Sequence, residues 1–275
     1  MRSGPASGRR WFAAVAVGAL VAGCRTGRNY DGIAGPRYAD RPAATAGEGA
    51  APDTLRLVSF NIERSLRVDT AIAVIAADPE TRGADIILLQ EMDEAGARRV
   101  AAAFGMAYVY YPATFSLKTQ RDFGNAVLSR WPIVEDSKVL LPHLGVVGRL
   151  RRTATGATIR VGGSLIRVYS THLGTLINAT PAAQRAQLQT VFADAERYPN
   201  VVIGGDMNSH GVGRLARARG YAWPTEHGPR TTRFGRWDHI FFRGFASPAR
   251  ADAGTVLDVR GASDHRAVWA VVKLR

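Results

Sequence analysis

The stretch Val201-Val-Ile-Gly-Gly-Asp-Met-Asn208 decides how this chain is interpreted. A short apolar run bounded by glycine predicts a buried strand. Side chains alternate along an extended segment, so Asp206 and Asn208 are expected on the same side at its end. A carboxylate beside an amide suits a hydrolytic site, although Asp-Met-Asn is equally typical of a turn. The choice depends on how the other strands of the chain end.

Several other predicted strands also carry polar side chains at one end. The set comprises Asn61, Glu91, His172, Asp206, Asn208, Asp238, Asp264 and His265. Each residue alone has an ordinary explanation as a cap or a loop residue. Neighbouring strands of a sheet bring their ends together. The eight polar residues at strand ends are therefore expected to meet at one edge of the fold, which we call the rim. Carboxylates, amides and imidazoles without a cysteine favour Mg²⁺ or Mn²⁺ over structural zinc.

The rest of the pattern from Thr54 onward is continuous and predicts a single domain. Helices are expected over 68–77, 94–104 and 181–196, the last with proline in its first turn. Strands are expected over 55–60, 84–89, 107–111, 124–129, 133–140, 165–170, 201–206, 237–242 and 267–273. Such an alternation of strands and helices predicts an α/β fold.

The composition is that of a globular protein with a strong excess of arginine. The chain has 275 residues, 46% of them hydrophobic, and a formal net charge of +13. Arginine binds phosphate through its planar fork, so a basic surface favours an anionic partner such as nucleic acid or anionic lipid. Codon usage biased toward arginine would produce the same excess, so charge alone does not decide between them.

The N-terminus predicts export. Basic residues at positions 2, 9 and 10 precede the apolar run 11–22 and Gly23-Cys24, which is typical of a secretory signal peptide over residues 1–23. Leu20-Val-Ala-Gly-Cys24 resembles a bacterial lipobox, which implies a lipidated Cys24. We therefore expect a lipid-anchored protein on the periplasmic or extracellular side of a bacterial membrane. Residues 24–52, rich in Gly, Ala, Pro and Arg, would form a flexible tether to a monomeric domain over 53–275.

Seven short motifs together resemble the endonuclease/exonuclease/phosphatase (DNase I-like) superfamily, and they occur in its order. They are Ser59-Phe-Asn61, Leu89-Gln-Glu91, Gly124-Asn-Ala-Val-Leu-Ser129, Ser170-Thr-His-Leu173, Gly205-Asp-Met-Asn208, Trp237-Asp238 and Ser263-Asp-His265. The resemblance covers the chain from about Leu55 to its end. It implies a four-layer α/β sandwich, in which two mixed β-sheets pack face to face with helices outside.

The resemblance also implies a metal site. Glu91 is similar to the principal metal ligand of the superfamily, with Asn61 close by and Asp264 as a further ligand. Glu63 matches a position that binds metal or a metal-bound water in some members. The implied metal is Mg²⁺ or Mn²⁺.

The resemblance assigns catalytic roles to five further residues. His265 is similar to the catalytic histidine, oriented by Asp238, and Asp206 to the residue that activates water. His172 and Asn208 would donate hydrogen bonds to the phosphoryl oxygens. Two other residues, Asn125 and Arg236, are candidates for contact with the substrate phosphate.

Taken together, these residues predict a metal-dependent phosphodiester hydrolase that cleaves DNA or RNA by in-line attack of water. The same chemistry would serve a phospholipid phosphodiesterase similar to a sphingomyelinase, or a phosphomonoesterase. A catalytically silent module that binds an anionic ligand is the alternative outside the enzymes.

Overall fold

The computed structural model of the chain describes residues 27–41, 52–246 and 252–274. The described residues form thirteen strands, four α-helices and two short 3₁₀ helices (Glu63–Ser65 and Pro224–His227). The strands are β1 (Gly27–Asn29), β2 (Tyr38–Asp40), β3 (Thr54–Asn61), β4 (Ile86–Met92), β5 (Ala107–Ser116), β6 (Arg121–Ser129), β7 (Ile133–Leu140), β8 (Thr153–Val161), β9 (Ser164–His172), β10 (Val201–Asp206), β11 (Asp238–Arg243), β12 (Ala253–Thr255) and β13 (Val268–Lys273). The helices are α1 (Val68–Ala77), α2 (Glu94–Phe104), α3 (Pro181–Ala195) and α4 (Gly213–Ala218).

The strands form two mixed sheets. The first has the order β1-β5-β6-β4-β3-β13-β12, with β2 also paired to β5. The second has the order β11-β10-β9-β8-β7. Each sheet contains one parallel pair, β3 with β4 and β9 with β10, and its other pairs are antiparallel.

Three apolar clusters separate four layers. Leu57 and Ile86 of the first sheet meet Val202 of the second in the central cluster between the sheets. Val58 points the other way, into a cluster that packs against α1 and α2. Val201 and Ile203 likewise face away from the central cluster, toward α3 and α4. Both faces of each sheet are therefore covered, and the predicted four-layer sandwich is confirmed.

Two glycines in β10 allow close contacts of this strand with its neighbours near the site. A Cβ on Gly204 would lie 2.5 Å from Cδ1 of Leu88 in the opposite sheet. Gly205 has φ +151°, and a Cβ there would lie 1.8 Å from the carbonyl oxygen of Thr171. Only glycine fits such a conformation and spacing. Gly204 therefore allows β10 to approach β4 of the opposite sheet, and Gly205 allows it to lie close to β9 of its own sheet.

The helix predictions are nearly correct, whereas several strands extend further than expected. α1 and α2 have the predicted bounds, and α3 ends one residue early. β4 runs from Ile86 to Met92 and β5 continues to Ser116. The short strand β12 and the nine-residue strand β8 were not predicted. β8 mixes threonine, glycine and alanine, so it lacks the apolar run by which the other strands were recognised.

The expectation of a flexible tether is wrong for residues 27–41, which we call the N-terminal segment. Its strands β1 and β2 both pair with β5. Arg37 forms two hydrogen bonds with the carboxylate of Asp136, at 2.6 and 2.7 Å, and Nζ of Lys138 donates to the carbonyl oxygen of Tyr30 at 2.6 Å. The segment thus connects the edge of the first sheet to β7 of the second. Three-residue strands give no detectable periodicity, so the sequence alone did not reveal them.

The predicted signal peptide and Cys24 lie outside the described residues. Within the described ranges, no helix is both long enough and apolar enough to cross a membrane.

Candidate active site

The candidate site lies where the two parallel strand pairs end. Parallel strands carry their carboxyl ends to the same edge, and register pairs Asn61 with Gln90 and His172 with Asp206. β11 runs antiparallel to β10, so its first residue, Asp238, pairs with Asp206 at that edge. Nδ2 of Asn61 lies 3.1 Å from Oδ2 of Asp206, which joins the two sheets across the rim.

Glu91 reaches the site because of a bulge in β4. The pairing of β4 with β6 shifts register between Leu89 and Met92, and Glu91 has φ +57°. A bulge redirects the side chain that it carries. Gln90 can therefore point between the sheets, where Nε2 donates to Oγ of Ser170 at 2.9 Å, while Oε1 of Glu91 lies 3.4 Å from Nδ2 of Asn61.

Asp206 is the centre of the site and is almost completely buried. Its Oδ1 accepts the backbone N–H of Asn208 at 2.8 Å, and its Oδ2 accepts from Nδ2 of Asn208 at 3.1 Å. Nδ2 of Asn208 also donates to the carbonyl oxygen of Leu173 at 3.2 Å. Both amide protons of Asn208 are used within the protein, so this side chain holds Asp206 in place instead of pointing toward a substrate.

His265 and Asp238 form a buried pair. Nδ1 of His265 lies 2.9 Å from Oδ2 of Asp238, and Nε2 lies 3.7 Å from Oδ2 of Asp206. Oγ of Ser263 accepts the backbone N–H of His265 at 3.0 Å and donates to the carbonyl oxygen of Asn61 at 2.7 Å. The loop that carries His265 is thereby fixed to the end of β3.

His172 is held by Arg152. Nη1 of Arg152 lies 3.1 Å from Nδ1 of His172, and the guanidinium covers the ring of Phe123 at 5.3 Å. Phe123 also packs on the imidazole, with the ring centres 5.7 Å apart. Nε2 of His172 is buried and makes no hydrogen bond within the described residues, although Oδ2 of Asp206 is 3.2 Å away. Arg152 therefore holds one ring nitrogen, and the other lies buried beside Asp206.

The burial of these groups shifts their pKa values in opposite directions. Burial raises the pKa of Glu91 above its usual value, against the opposing effect of Arg152. Burial also raises the pKa of Asp206, and the neighbouring charge of Asp238 adds to it while His265 opposes it. The pKa of His172 lies well below its usual value because of burial and the nearby charge of Arg152. At neutral pH the site therefore combines a basic carboxylate with a neutral imidazole.

His265 has the opposite character to His172. Burial alone would lower the pKa of His265, but the charges of Asp238 and Asp206 outweigh it and raise the pKa to about 10. The ring is therefore an imidazolium at neutral pH, with Nδ1 bound to Asp238. Cationic His265 and neutral His172 therefore both lie next to the carboxylate of Asp206.

The donor set fits a hard divalent cation. Asp206, Asp238 and His265 offer ligand atoms within 4.8 Å of one another. Asp238 and His265 already bind each other, so a cation among those three would compete with that pair. Glu91 supplies a further carboxylate, and carboxylate oxygens are ligands that Mg²⁺ prefers. The side chain of Asn61 lies between Glu91 and Asp206 with Nδ2 toward both, and its Oδ1 accepts from the backbone N–H of Glu63. The three carboxylates face two cations, Arg152 and protonated His265, and a bound cation would favour the ionised form of Asp206, whose pKa burial raises to about 7.

An open cavity of about 490 Å³ adjoins His265. Its walls include Thr232, Arg233, Phe234, Trp237 and Asp264. The rings of Phe234 and Trp237 are stacked, with centres 5.5 Å apart and planes inclined by 16°. The guanidinium of Arg233 lies 4.4 Å from the centre of the Phe234 ring.

Four predicted site residues lie at the margin of the cluster or outside it. Asp264 is exposed on the cavity wall, whereas its neighbours Ser263 and His265 are buried. Arg236 is also exposed, and its Nε donates to the carbonyl oxygen of Gly228, so Arg233 lines the cavity instead. Nδ2 of Asn125 donates to the carbonyl oxygen of Thr153 at 2.7 Å and joins β6 to β8. Glu63 is half-buried, and its backbone N–H holds Oδ1 of Asn61 at 3.1 Å.

Sequence reasoning did not identify Arg152, Phe123 or Ser263 as part of the site. Phe123 meets His172 only once β6 of the first sheet packs on β9 of the second. Arg152 meets it only once β8 pairs with β9. Ser263 lies in a quoted motif, Ser263-Asp-His265, and that motif was the available signal for its role.

The sequence and the fold both match known proteins. The sequence model of the Endonuclease/Exonuclease/phosphatase family matches residues 58–265, which is most of the chain. A search of curated proteins gives no match.

Among solved structures, an endonuclease/exonuclease/phosphatase from Beutenbergia cavernae DSM 12333 superposes with a TM-score of 0.67 at 20% identity, covering 81% of this chain and 72% of that one. D. rerio TDP2 complexed with single strand DNA product gives a TM-score of 0.64 at 16% identity, covering 81% and 100%. Sphingomyelinase C from Streptomyces griseocarneus gives 0.57 at 18% identity, covering 81% and 100%. At these identities the likeness shows the fold alone.

Proposed function

The chain belongs to the Endonuclease/Exonuclease/phosphatase family, a family of phosphoester hydrolases, and from that premise we propose that it is a divalent-metal-dependent phosphodiester hydrolase that cleaves nucleic acid. The observation that carries the proposal is the convergence of Glu91, Asp206, His172 and the His265–Asp238 pair on one rim. A water molecule attacks phosphorus directly, and no covalent intermediate with the enzyme forms.

Asp206 positions the attacking water and accepts its proton. Burial raises the pKa of Asp206, which makes its carboxylate a better base than an exposed one. Asn208 fixes the direction of the carboxylate through two hydrogen bonds. The base is therefore both oriented and poorly solvated.

Two imidazoles donate to the phosphoryl oxygens as negative charge develops. Nε2 of His172 is a buried donor without a partner in the described residues, which suits it to an incoming oxygen. His265, kept cationic by Asp238 and Asp206, offers a second Nε2 near the same carboxylate oxygen of Asp206. Preorganised donors of this kind typically contribute about 10²–10³-fold each to catalysis.

Glu91 and Asn61 would hold the metal, with Asp206 close by. A bound Mg²⁺ or Mn²⁺ would stabilise the charge on the phosphoryl and leaving oxygens. Arg152 lies close enough to Glu91 to oppose the effect of burial on its pKa, which favours the ionised carboxylate that a cation requires.

Nucleic acid is favoured as the substrate by the cavity beside His265. The stacked and partly exposed rings of Phe234 and Trp237 offer a flat apolar surface, and Arg233 lies beside it. Aromatic side chains next to arginine suit an unpaired base whose phosphate lies at the site. The net charge of +13 favours the same polyanion.

A phospholipid headgroup is the second candidate substrate. The loops that follow β9 and precede β8 expose aliphatic side chains next to His172 and Arg152. An enzyme that reaches lipid phosphoesters needs such contacts beside its active site. A phosphomonoester is compatible with the same chemistry, but no further observation favours it.

We also propose that the protein is exported, anchored by lipid on Cys24 and monomeric. The sequence before residue 27 supports the first two statements. Incorporation of labelled fatty acid that disappears in Cys24→Ser would support the anchor, and equal incorporation in both would contradict it.

Parallel assays with Mg²⁺ distinguish the substrates. The full chain would be incubated with supercoiled plasmid and with phospholipid vesicles, each alongside His265→Ala. Nicking that requires both the metal and His265 would support the nuclease, whereas headgroup release without nicking would favour the lipid. Full activity in the presence of EDTA would contradict the proposed metal dependence. No turnover on either substrate, or on a phosphomonoester, would favour a silent binding module.

A further inference from the structure

Two loops beside the active site expose aliphatic side chains in adjacent positions. We call them loop A (residues 141–152, between β7 and β8) and loop B (residues 173–180, between β9 and α3). Val146 in loop A is 76% exposed and Ile177 in loop B is 82% exposed. Val147 and Leu176 are each more than half exposed. Four large aliphatic side chains at loop tips are a patch of the kind that marks an interaction surface.

Asn178 holds the two loops side by side. Its carbonyl oxygen accepts the N–H of Val146 at 3.1 Å, and its Oδ1 accepts the N–H of Val147 at 2.9 Å. Within loop B, the N–H of Asn178 donates to the carbonyl oxygen of Thr175 at 2.8 Å. Because these hydrogen bonds fix the backbone at both tips, the exposed side chains form a built surface that is shared by the two loops.

A third loop joins this surface from the first sheet. We call it loop C (residues 116–121, between β5 and β6), and its Leu117 is more than half exposed. β1 links it to loop A: Gly27 pairs with Ser116, while Nδ2 of Asn29 donates to the carbonyl oxygen of Arg149 at 2.9 Å. A Cβ on Gly27 would lie 3.0 Å from Leu150. The three loops therefore project from the same edge of the sandwich.

The charge of these loops has one sign. Loops A, B and C contain no Asp or Glu and five Lys or Arg residues. Arg121 and Arg151 pair with Asp93 and Asp31, and Arg152 contacts His172, so Lys118 and Arg149 form the exposed basic collar. Arg149 is exposed with φ +50°, and Lys118 is also exposed. Aliphatic tips within a basic collar suit a surface that is apolar inside and anionic outside, which describes a bilayer with acidic lipids.

The chain itself leads to the same edge. β1 begins at Gly27, three positions after Cys24, and lies between loops A and C. Whatever Cys24 carries is attached next to this surface, because three residues span about 10 Å at most.

We propose that loops A, B and C form a docking surface for an anionic phospholipid bilayer, with Val146 and Ile177 entering the interface. The surface adjoins the active site, since His172 directly precedes loop B and Arg152 ends loop A. Docking holds the rim of the site at the membrane. The proposal concerns binding and does not depend on which phosphoester is hydrolysed.

A single-cysteine experiment tests the proposal on the full chain. Cys24→Ser removes both the only cysteine and the possibility of lipid attachment. Into that background we would introduce Val146→Cys, Ile177→Cys or Leu165→Cys and attach a polarity-sensitive fluorophore. Leu165 is the matched control, because it is exposed and lies at the opposite end of β9, about 23 Å from His172 at the usual strand rise.

Vesicles of phosphatidylcholine alone and vesicles with an equal part of phosphatidylglycerol would be added. We expect the labels at 146 and 177 to brighten several-fold on the anionic vesicles and to be quenched by lipids brominated in their acyl chains. The label at 165 should not change. No response at 146 and 177, or an equal response at 165, would overturn the proposal. So would an equal response to both kinds of vesicle.

Arg149→Glu in the Ile177→Cys background separates charge from the aliphatic contact. Reversing one charge of the collar should weaken the response to anionic vesicles several-fold and should shift its dependence on salt. An unchanged response would refute the role of the basic collar. Since the assay reads insertion and not turnover, failure of the proposed hydrolase activity would leave its result intact.

Discussion

Nη1 of Arg152 lies 3.1 Å from Nδ1 of His172, and this contact decides which nitrogen of the imidazole carries the proton. A guanidinium can only donate, so Nδ1 must accept and the proton of the neutral ring must sit on Nε2. Burial and the charge of Arg152 keep the pKa of His172 well below its usual value. His172 is therefore a neutral donor that faces Asp206 and the space where a phosphoryl oxygen would bind.

Replacing Arg152 with methionine should release this constraint. In Arg152→Met we expect His172 to populate both tautomers and its pKa to rise, because a nearby positive charge is removed. Turnover should fall by about 10²-fold, the usual effect of losing one preorganised donor. Nitrogen NMR of the histidine rings measures the tautomer directly. Arg149 is an exposed arginine of the same loop, so Arg149→Met should leave the tautomer of His172 and the turnover unchanged. An unchanged tautomer in Arg152→Met would contradict the conclusion that Arg152 fixes it.

The His265–Asp238 pair predicts a change in the pH profile. Asp238→Asn keeps the shape but removes the charge that raises the pKa of His265 to about 10. We expect kcat to fall by about 10²–10⁴-fold, as for other histidines that lose their orienting carboxylate. The alkaline limb of the rate profile should also move to lower pH. A limb that stays in place would show that His265 is not the group titrating there.

The same pair has a consequence for stability. The pKa of His265 is raised on folding, so its ion pair stabilises the folded state fully below the unfolded value of 6.5. That contribution is lost as the pH rises toward about 10. Comparing the urea unfolding of the parent and Asp238→Asn across this window should give a difference that shrinks with increasing pH.

Glu91 should be the main determinant of metal binding. Glu91→Gln removes one negative charge with almost no change in volume. We expect Mn²⁺ affinity to fall by at least about 10-fold, because loss of a group that merely supports a ligand already costs that much. Asp264→Asn, on the exposed cavity wall, should cost less. Titration calorimetry with Mn²⁺ measures both without a substrate. A larger loss of Mn²⁺ affinity in Asp264→Asn than in Glu91→Gln would show that Asp264, and not Glu91, is the main metal ligand.

The strands that end at the site were predictable because burial on both faces requires continuous apolar runs. Val201 to Ile203 is such a run, and the polar residues after it had to lie at the sheet edge. Glu91 was found by its motif, but the bulge that aims it has no signature in Leu89-Gln-Glu91. Arg152 could not be assigned, because its partner His172 lies on a neighbouring strand and reaches it only after the second sheet has formed.

The N-terminal segment was missed for a different reason. Its two strands are three residues long, and the contacts that hold it are polar. Arg37 with Asp136 and Lys138 with the Tyr30 carbonyl join residues about a hundred positions apart in sequence. No local pattern encodes such pairs, so a stretch rich in glycine, proline and arginine resembles a tether whether or not it docks.

Lys138 therefore offers a test of whether the N-terminal segment is part of the fold. Burial lowers the pKa of Lys138 to about 8, from an ordinary value of 10.5. Between these values the unfolded chain binds a proton that the folded chain does not, so the contribution of Lys138 to stability rises with pH across the window and is constant below it. At its steepest this slope approaches about 1.4 kcal/mol per pH unit.

Lys138→Met should abolish this slope, because methionine occupies a similar volume and does not titrate. Chemical unfolding of the parent and the variant at several values between pH 7 and pH 11 measures the difference, and the exposed Lys118→Met serves as the matched control. A difference between Lys138→Met and the parent that does not vary with pH would mean that Lys138 remains solvated. In that case residues 27–41 do not cover Lys138 in solution. Both the packing of the N-terminal segment against β7 and the lowered pKa of Lys138 would then be wrong.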